Sequence, residues 1–511
     1  HLSDNCILKY PITVTADGLD FHRPRAALSL AISDAVRLVA RHWGLLAALA
    51  ITGIVYLPTL QYYFGGDDFV VLGDIQFRGN AWFLIDTLRM HDVVPNWRPL
   101  TGVVYLAEWR MFGLHPLAWR LVNLTIHLSS LVLLYALVVR VTKRPAIGAT
   151  SALIFGISGA HFDTVTYITA LPHVLAMFFV LASLLAVVTY ADDGERDWRP
   201  YALSFSAFVL AFLANEGSFV FAPLVVLAYA VYSRRWRQAP LRLVLRAIPF
   251  AALAVGWLSF YESCTCPQLK FDGYAWGPHV ISNYAVYLSF MAYPAHAIPG
   301  DPDALRWVLA GVVTLAMLAL AAFGPKLARV AVPGIVLALL PFLPVEIWTA
   351  SRYTYAAVAF FAPLAAICAY AVYERMQRLH PRLHVPVNVL ALLFVATVGA
   401  LYGWQTHARD HRSGVEAERW QLLANELRDN YRTVPPGTTI YIIDGPWTNP
   451  MEQYLWVPSV ARALYGDAAA FDYPSSSYVS GQAPAGDRAV YLRWANGTLR
   501  PISEEQVLSA R

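Results

Sequence analysis

Two adjacent carboxylates, Asp67 and Asp68, follow a glycine pair in the run Phe64-Gly65-Gly66-Asp67-Asp68-Phe69. Neighbouring negative charges disfavour each other's ionisation, so one of the two is a candidate general base for an attacking hydroxyl. Gly-Gly-Asp-Asp is also ordinary turn chemistry, and on this motif alone the turn is the stronger reading. Further clusters follow in chain order. Arg120, Asn123 and His127 fall on one helical face within about two turns. His161-Phe162-Asp163-Thr164-Val165 comes next, then Leu171-Pro172-His173. Asn215-Glu216 separates two apolar runs, and Glu346 with Arg352-Tyr353-Thr354-Tyr355 stands between two later ones. Singly, each cluster could be an interfacial anchor or an interhelical hydrogen bond. Together they bring carboxylates, imidazoles and arginines to one set of connections. Arginine binds phosphate oxygens in pairs and keeps its charge at any working pH. That chemistry suits transfer of a group from a lipid-linked phosphate to an acceptor hydroxyl.

The elements that must position these clusters are membrane helices. Of 511 residues, 57% are hydrophobic and only 14% charged, against about 25% charged in soluble domains. A soluble enzyme, a disordered chain, a collagen and a disulfide scaffold are excluded. A net charge of +4 is too weak and scattered to argue for nucleic acid. Apolar runs able to cross a bilayer lie near 43–60, 116–139, 145–160, 170–190, 200–214, 217–232, 247–261, 307–324, 330–348, 353–372 and 386–404. This predicts an all-α polytopic membrane protein with about eleven spanning helices. One alternating set of segments (1–41, 140–144, 191–200, 233–246, 325–329 and 374–382) carries 20 Lys and Arg, and the opposite set carries few. By the positive-inside rule the N-terminus is then cytoplasmic, and every cluster above lies on the outer side.

The first outer connection, roughly 61–115, mixes Trp, Leu and Val with charge over Asn80–Val94 and Arg98–Gly113. These stretches read as interfacial helices lying on the membrane. Residues 405–511 hold 10 Arg and 12 Asp or Glu, the composition of a small extracytoplasmic α+β domain. There Val415–Asp429 reads as an amphipathic helix, and Thr439–Ile443 and Ala489–Trp494 read as strands. Its aromatics, among them Trp447, Tyr454, Trp456, Tyr473 and Trp494, could stack on sugar rings, with core packing the stronger expectation. The expected organisation is 1–42 cytoplasmic with an interfacial helix, 43–404 transmembrane and 405–511 extracytoplasmic. Cys264-Thr265-Cys266 is a weak metal signal and too close for an easy disulfide.

Asp67-Asp68, then Trp97-Arg98-Pro99-Leu100-Thr101, then Phe112-Gly113-Leu114-His115-Pro116, then Arg120…Asn123…His127 resembles the GT-C superfamily of membrane glycosyltransferases. The similarity is to the branch of tetratricopeptide-containing O-mannosyltransferases and their bacterial relatives, over roughly residues 43–404. His161-Phe162-Asp163, Asn215-Glu216 with Pro223, and Arg352-Tyr353-Thr354-Tyr355 extend it. The resemblance implies inverting transfer from a polyprenyl-phosphate sugar to an acceptor protein or glycan at the outer face of a bacterial inner membrane. It implies Asp67 as the base, with Asp68 supporting it or helping a divalent metal ion, and Asp163 as a second acid near the acceptor. Arg352 and His127 would hold the lipid phosphate. Arg98, Arg120, Asn123, His161, Glu216 and Tyr353 complete the implied substrate-binding set. The chain departs from that branch at Asn215, where the branch has Lys, and at Leu171, where an arginine often stands. It also lacks tetratricopeptide repeats. Those departures keep a second expectation open, a non-catalytic membrane subunit that scaffolds a larger complex. A transporter is a third, but no repeated half is evident.

Overall fold

The computed structural model describes residues 42–89, 97–263, 273–292, 303–346, 349–379, 384–447, 452–473, 489–495, 497–503 and 505–506. The N-terminal segment 1–41 and the Cys264/Cys266 pair lie outside the described residues.

In chain order the first helices are α1 (His42–Tyr56), α2 (Gly66–Arg78), α3 (Asn80–Arg89), α4 (Pro99–Phe112), α5 (Pro116–Thr142) and α6 (Pro145–Ile157). Then come α7 (Phe162–Thr166), α8 (Leu171–Asp192), α9 (Arg199–Ala214), α10 (Ala222–Tyr232) and α11 (Leu241–Ser263). The membrane body closes with α12 (His279–Ala292), α13 (Asp303–Phe323), α14 (Lys326–Leu339) and α15 (Tyr355–Leu379), and α16 (His384–Asn430) leads out of it. Proline stands in the first turn of α4, α5, α6, α8, α9 and α10, where its missing N–H costs nothing and its fixed φ starts the helix.

Among the described residues, each apolar run marked in the sequence is largely helical; the end of 330–348 instead pairs Val345 with Tyr274. Five helices among the described residues are long and apolar enough to span a bilayer, and α6 with the helical turn Gly159–Thr166, bent by 43°, is either a broken sixth span or a re-entrant loop. That bend, at Ser158, starts the short turns that carry His161 and Asp163. Helices α1, α9 and α10 are shorter apolar helices, and α11 and α13 leave most of their surface uncovered, as lipid-facing helices do. The chain is an integral membrane protein. At the far end of α5 from Arg120, Arg140 pairs with Asp192 and Asp193, and Arg144 with Glu374.

Helix α16 differs from expectation. It runs unbroken for 47 residues, so the last apolar run and the amphipathic stretch at 415–429 are one helix, and 404/405 falls inside it. No proline or capping turn interrupts the composition change there. Beyond α16 lie β1 (Thr438–Ile443), α17 (Val457–Tyr465), β2 (Ala468–Tyr473), β3 (Ala489–Ala495) and β4 (Thr498–Ile502). The sheet order is β2-β1-β3-β4, with β1 parallel to both neighbours and β4 antiparallel to β3. Two of these strands, β2 and β4, were not expected from the sequence; both are sheet edges.

Among the described residues, the tail's core is shared with the first connection, α5 and α16. Phe64, Phe69 and Leu72 from the first connection, Trp119 from α5, Trp420 and Leu427 from α16, and Ile440 and Val460 from the tail pack in one apolar cluster. The face of α2 is bare where α17 crosses it: a Cβ on Gly73 would stand 2.9 Å from the Ser459 carbonyl oxygen. A second, larger core binds the membrane helices to one another.

Candidate active site

Asp67 lies where three distant parts of the chain meet. These are the first turn of α2, the 3-10 turn Ser351–Thr354 before α15, and the π turn Glu452–Trp456 before α17. Its Oδ2 accepts from Arg352 Nη1 at 3.2 Å, and its Oδ1 accepts from the indole N–H of Trp456 at 2.9 Å. The two charged side chains are 28% and 32% exposed, open enough for a ligand to reach. Gly66 makes room for the indole, since a Cβ there would stand 2.4 Å from the Trp456 ring. The glycine pair thus serves a close approach as well as a helix start.

Asp68 points the other way. Residues one apart on a helix diverge by about 100°, and Asp68 turns inward to 1% exposure. Its Oδ2 accepts from the Gly65 N–H at 2.9 Å, closing the first turn of α2. Its Oδ1 accepts from the Thr169 N–H at 3.0 Å and hydroxyl at 3.3 Å. Burial pushes the Asp68 carboxyl above its ordinary range, with Arg120 and the Gly65 and Thr169 bonds opposing and Asp67 adding a small rise. Arg120 donates to three backbone carbonyls, those of Tyr62 (3.0 Å), Tyr63 and Thr166. Asn123 donates to the Tyr167 carbonyl at 3.0 Å. These three side chains fasten the α2 entry to the 163–169 connection.

His127 and His161 lie deeper. Both are fully buried, with ring centroids 5.7 Å apart, in an aromatic cluster with Phe155 and Tyr355. His127 shares a hydrogen bond of 2.9 Å with the Tyr355 hydroxyl. The His127 ring is enclosed by packing.

The rest of the expected set gathers near Asp67. Asp163 Oδ2 accepts from the Ser351 hydroxyl at 2.9 Å, beside Arg352. Arg98 and Glu216 form a two-pronged pair at 2.9 and 3.2 Å that docks the start of α4 on the end of α9. Tyr353 stacks on Phe342, with centroids 4.2 Å apart and planes 6° from parallel. His173, outside the expected set, bridges these groups. It lies within electrostatic reach of both Arg98 and Arg352, packs against Tyr353, and meets the Asn215 amide at 3.4 Å. Asn215 also caps the 3-10 turn Glu216–Phe221 through its Oδ1, a cap that a lysine could not make. Glu346, by contrast, is exposed.

Sequence reasoning missed Glu416 outright and gave Trp456 only a general aromatic's role, with no link to Asp67. The Glu416 carboxylate accepts from the Tyr167 hydroxyl at 2.9 Å, and with Asp68 and Arg120 it lines a small cavity. No spacing rule connects either residue to Asp67. Both oxygens of each carboxylate in the aspartate pair accept from protein donors, one of them a cation. Among the described residues, no three His, Cys, Asp or Glu side chains gather as a metal site.

Neither a protein-family model nor a curated protein matches the sequence. Among solved structures, the chain is similar to ArnT from Cupriavidus metallidurans bound to undecaprenyl phosphate. The TM-score is 0.51 at 14% identity, covering 91% of this chain and 94% of that one. Apo ArnT gives 0.48 at 14% identity over 85% and 86% of the two chains. The Archaeoglobus fulgidus oligosaccharyltransferase tethered to an acceptor peptide gives 0.48 at 11% identity over 84% and 64%.

Proposed function

Given a chain with the fold of the GT-C membrane glycosyltransferases, we propose that it transfers a sugar from a polyprenyl-phosphate donor to an acceptor hydroxyl, with inversion, using Asp67 as general base. The observation that carries this reading is the Asp67–Arg352 pair, a carboxylate and a phosphate-binding cation 3.2 Å apart and open to a ligand. The acceptor O–H bond breaks and its proton passes to Asp67. The new C–O bond forms at the anomeric carbon from the face opposite the phosphate, and the bond from that carbon to the phosphate oxygen breaks. Polyprenyl phosphate leaves with one more negative charge than it carried in the donor, and Arg352 meets that charge. The Arg98–Glu216 pair, His173 and the Tyr353–Phe342 stack form the adjoining wall for sugar and acceptor. Asp163 stands at the rim, and Asp68, Arg120 and Asn123 position the base.

The basic connections support a cytoplasmic N-terminus, with the site and tail at the outer face of a bacterial inner membrane, where no nucleotide-activated donor is available. The test is mass spectrometry of lipids co-purified with the protein, then incubation in proteoliposomes with a panel of undecaprenyl-phosphate hexoses. A bound polyprenyl-phosphate lipid and release of undecaprenyl phosphate support the reading. Bulk phospholipid alone, no release, and stable co-purification with a multi-protein complex would make the chain a scaffolding subunit.

A further inference from the structure

Trp456 belongs to the tail, 389 positions from the carboxylate it touches. Its place is built from both sides. On one side its ring meets Trp420 edge-on at 5.9 Å, Trp420 stacks on Trp447 at 5.9 Å, and Trp447 meets Trp494 at 5.2 Å. Trp420 and Trp447 are fully buried, so the indole is held against a rigid stack. On the other side Gly66 leaves room for the ring, which lies 2.4 Å from where a Cβ would be. An indole N–H donates and cannot accept. It can hold a carboxylate oxygen but cannot compete for the proton.

We propose that Trp456 is a positioning residue for the transfer reaction: it ties Asp67 Oδ1 so that Oδ2 alone takes the acceptor's proton. The inference rests on the reading of Asp67 as base. Of the two donors on Asp67, Arg352 is exchangeable, because a donor phosphate offers it an equivalent anion. Trp456 has no such alternative. When Arg352 turns to the phosphate, Oδ2 is uncovered while Oδ1 stays bonded, and the carboxylate plane is fixed against rotation. The tail therefore completes the site.

The experiment uses the full chain in proteoliposomes with undecaprenyl-phosphate hexoses, reading release of undecaprenyl phosphate per monodisperse protein. Trp456→Phe keeps a ring and removes the donor. Gly66→Ala keeps the donor and pushes the ring away. Each should lower kcat by roughly 10- to 100-fold and leave the donor KM within about twofold, since Arg352 is untouched. The double variant should be no slower than the slower single one, because both changes cut the same contact. Packing alone would instead give additive losses that track a falling thermal midpoint. If Trp456→Phe and Gly66→Ala keep wild-type kcat while Asp67→Asn is inactive, the positioning role is refuted and the base stands. If Asp67→Asn is as active as wild type, the base is refuted and the inference falls with it.

Discussion

Replacing Asp67 by Asn separates chemistry from stability, because the two losses differ in scale. The amide oxygen can still accept from Trp456, so the 2.9 Å bond survives. The amide nitrogen then faces Arg352, donor against donor, and the 3.2 Å pair is lost. Both partners of that pair are about 30% exposed, where an ion pair contributes on the order of 1 kcal/mol or less. The thermal midpoint should therefore barely move. Loss of a general base costs roughly 10²- to 10⁴-fold in rate, equivalent to about 3–5 kcal/mol of barrier. A further consequence follows from the freed cation. Arg352 no longer shares its charge with a carboxylate, so Asp67→Asn should bind undecaprenyl phosphate at least as tightly as wild type. The assays are hexose transfer in proteoliposomes, thermal unfolding in detergent, and titration with undecaprenyl phosphate. A variant within threefold of wild-type rate refutes the base assignment. A variant that loses lipid binding along with activity refutes the exchange at Arg352.

Glu108, on α4, gives a pH prediction. It is 2% exposed, neither carboxylate oxygen has a hydrogen-bond partner among the described residues, and burial pushes its pKa from 4.5 to about 8. The folded state keeps a proton that the unfolded chain releases above pH 4.5, so stability falls as pH rises from there to about 8. The slope is at most about 1.4 kcal/mol per pH unit. Glu108→Gln should flatten that decline and melt higher at pH 8, whereas parallel melting profiles for the two proteins would contradict the burial argument. Arg120→Lys decides between frame and ligand contact. One ammonium cannot span the Tyr62, Tyr63 and Thr166 carbonyls, so we expect a loss of roughly 2–4 kcal/mol in unfolding stability and an unchanged donor KM for the folded fraction. A raised KM at full stability would instead put Arg120 on the donor phosphate.

The membrane body was legible because lipid leaves a sequence few options: apolar runs of bilayer length are helical wherever they occur. The tail was less so. β4 carries Pro501, which a central strand cannot hold, and β2 begins Ala468-Ala469-Ala470 without β-branched residues. Edge strands tolerate both, and so escape pattern rules. At the site, Asp67 and Asp68 look alike in sequence, and helical phase alone gives one to the opening and the other to the core. Arg120, Asn123 and His127 do share a helix face, as their spacing requires. Which partner each meets depends on the 62–69 and 155–167 connections, and these fold back for reasons of packing. Trp456 had an aromatic's ordinary expectation of core packing. Its ring does pack there, and only its N–H edge reaches Asp67.

The charges of the site come in compensated pairs: Asp67 with Arg352, Glu216 with Arg98, and Asp68 within reach of Arg120. Compensation matters most for Asp68, which is 1% exposed and so costly to leave unpaired, and less for the half-open Asp67–Arg352 pair. It also constrains the reaction. The donor phosphate brings one negative charge and departs with two, so a cation must become more available as the bond breaks. Under the proposed reaction Asp67, as base, supplies it. Once the donor phosphate has drawn Arg352 off Oδ2, the proton that reaches that oxygen cancels the carboxylate's remaining pull on the guanidinium, and the leaving phosphate becomes its strongest partner as its own charge grows. Proton transfer and leaving-group stabilisation are then one electrostatic event seen from its two ends. A site with the same residues but no Asp67–Arg352 contact would have to meet each cost separately.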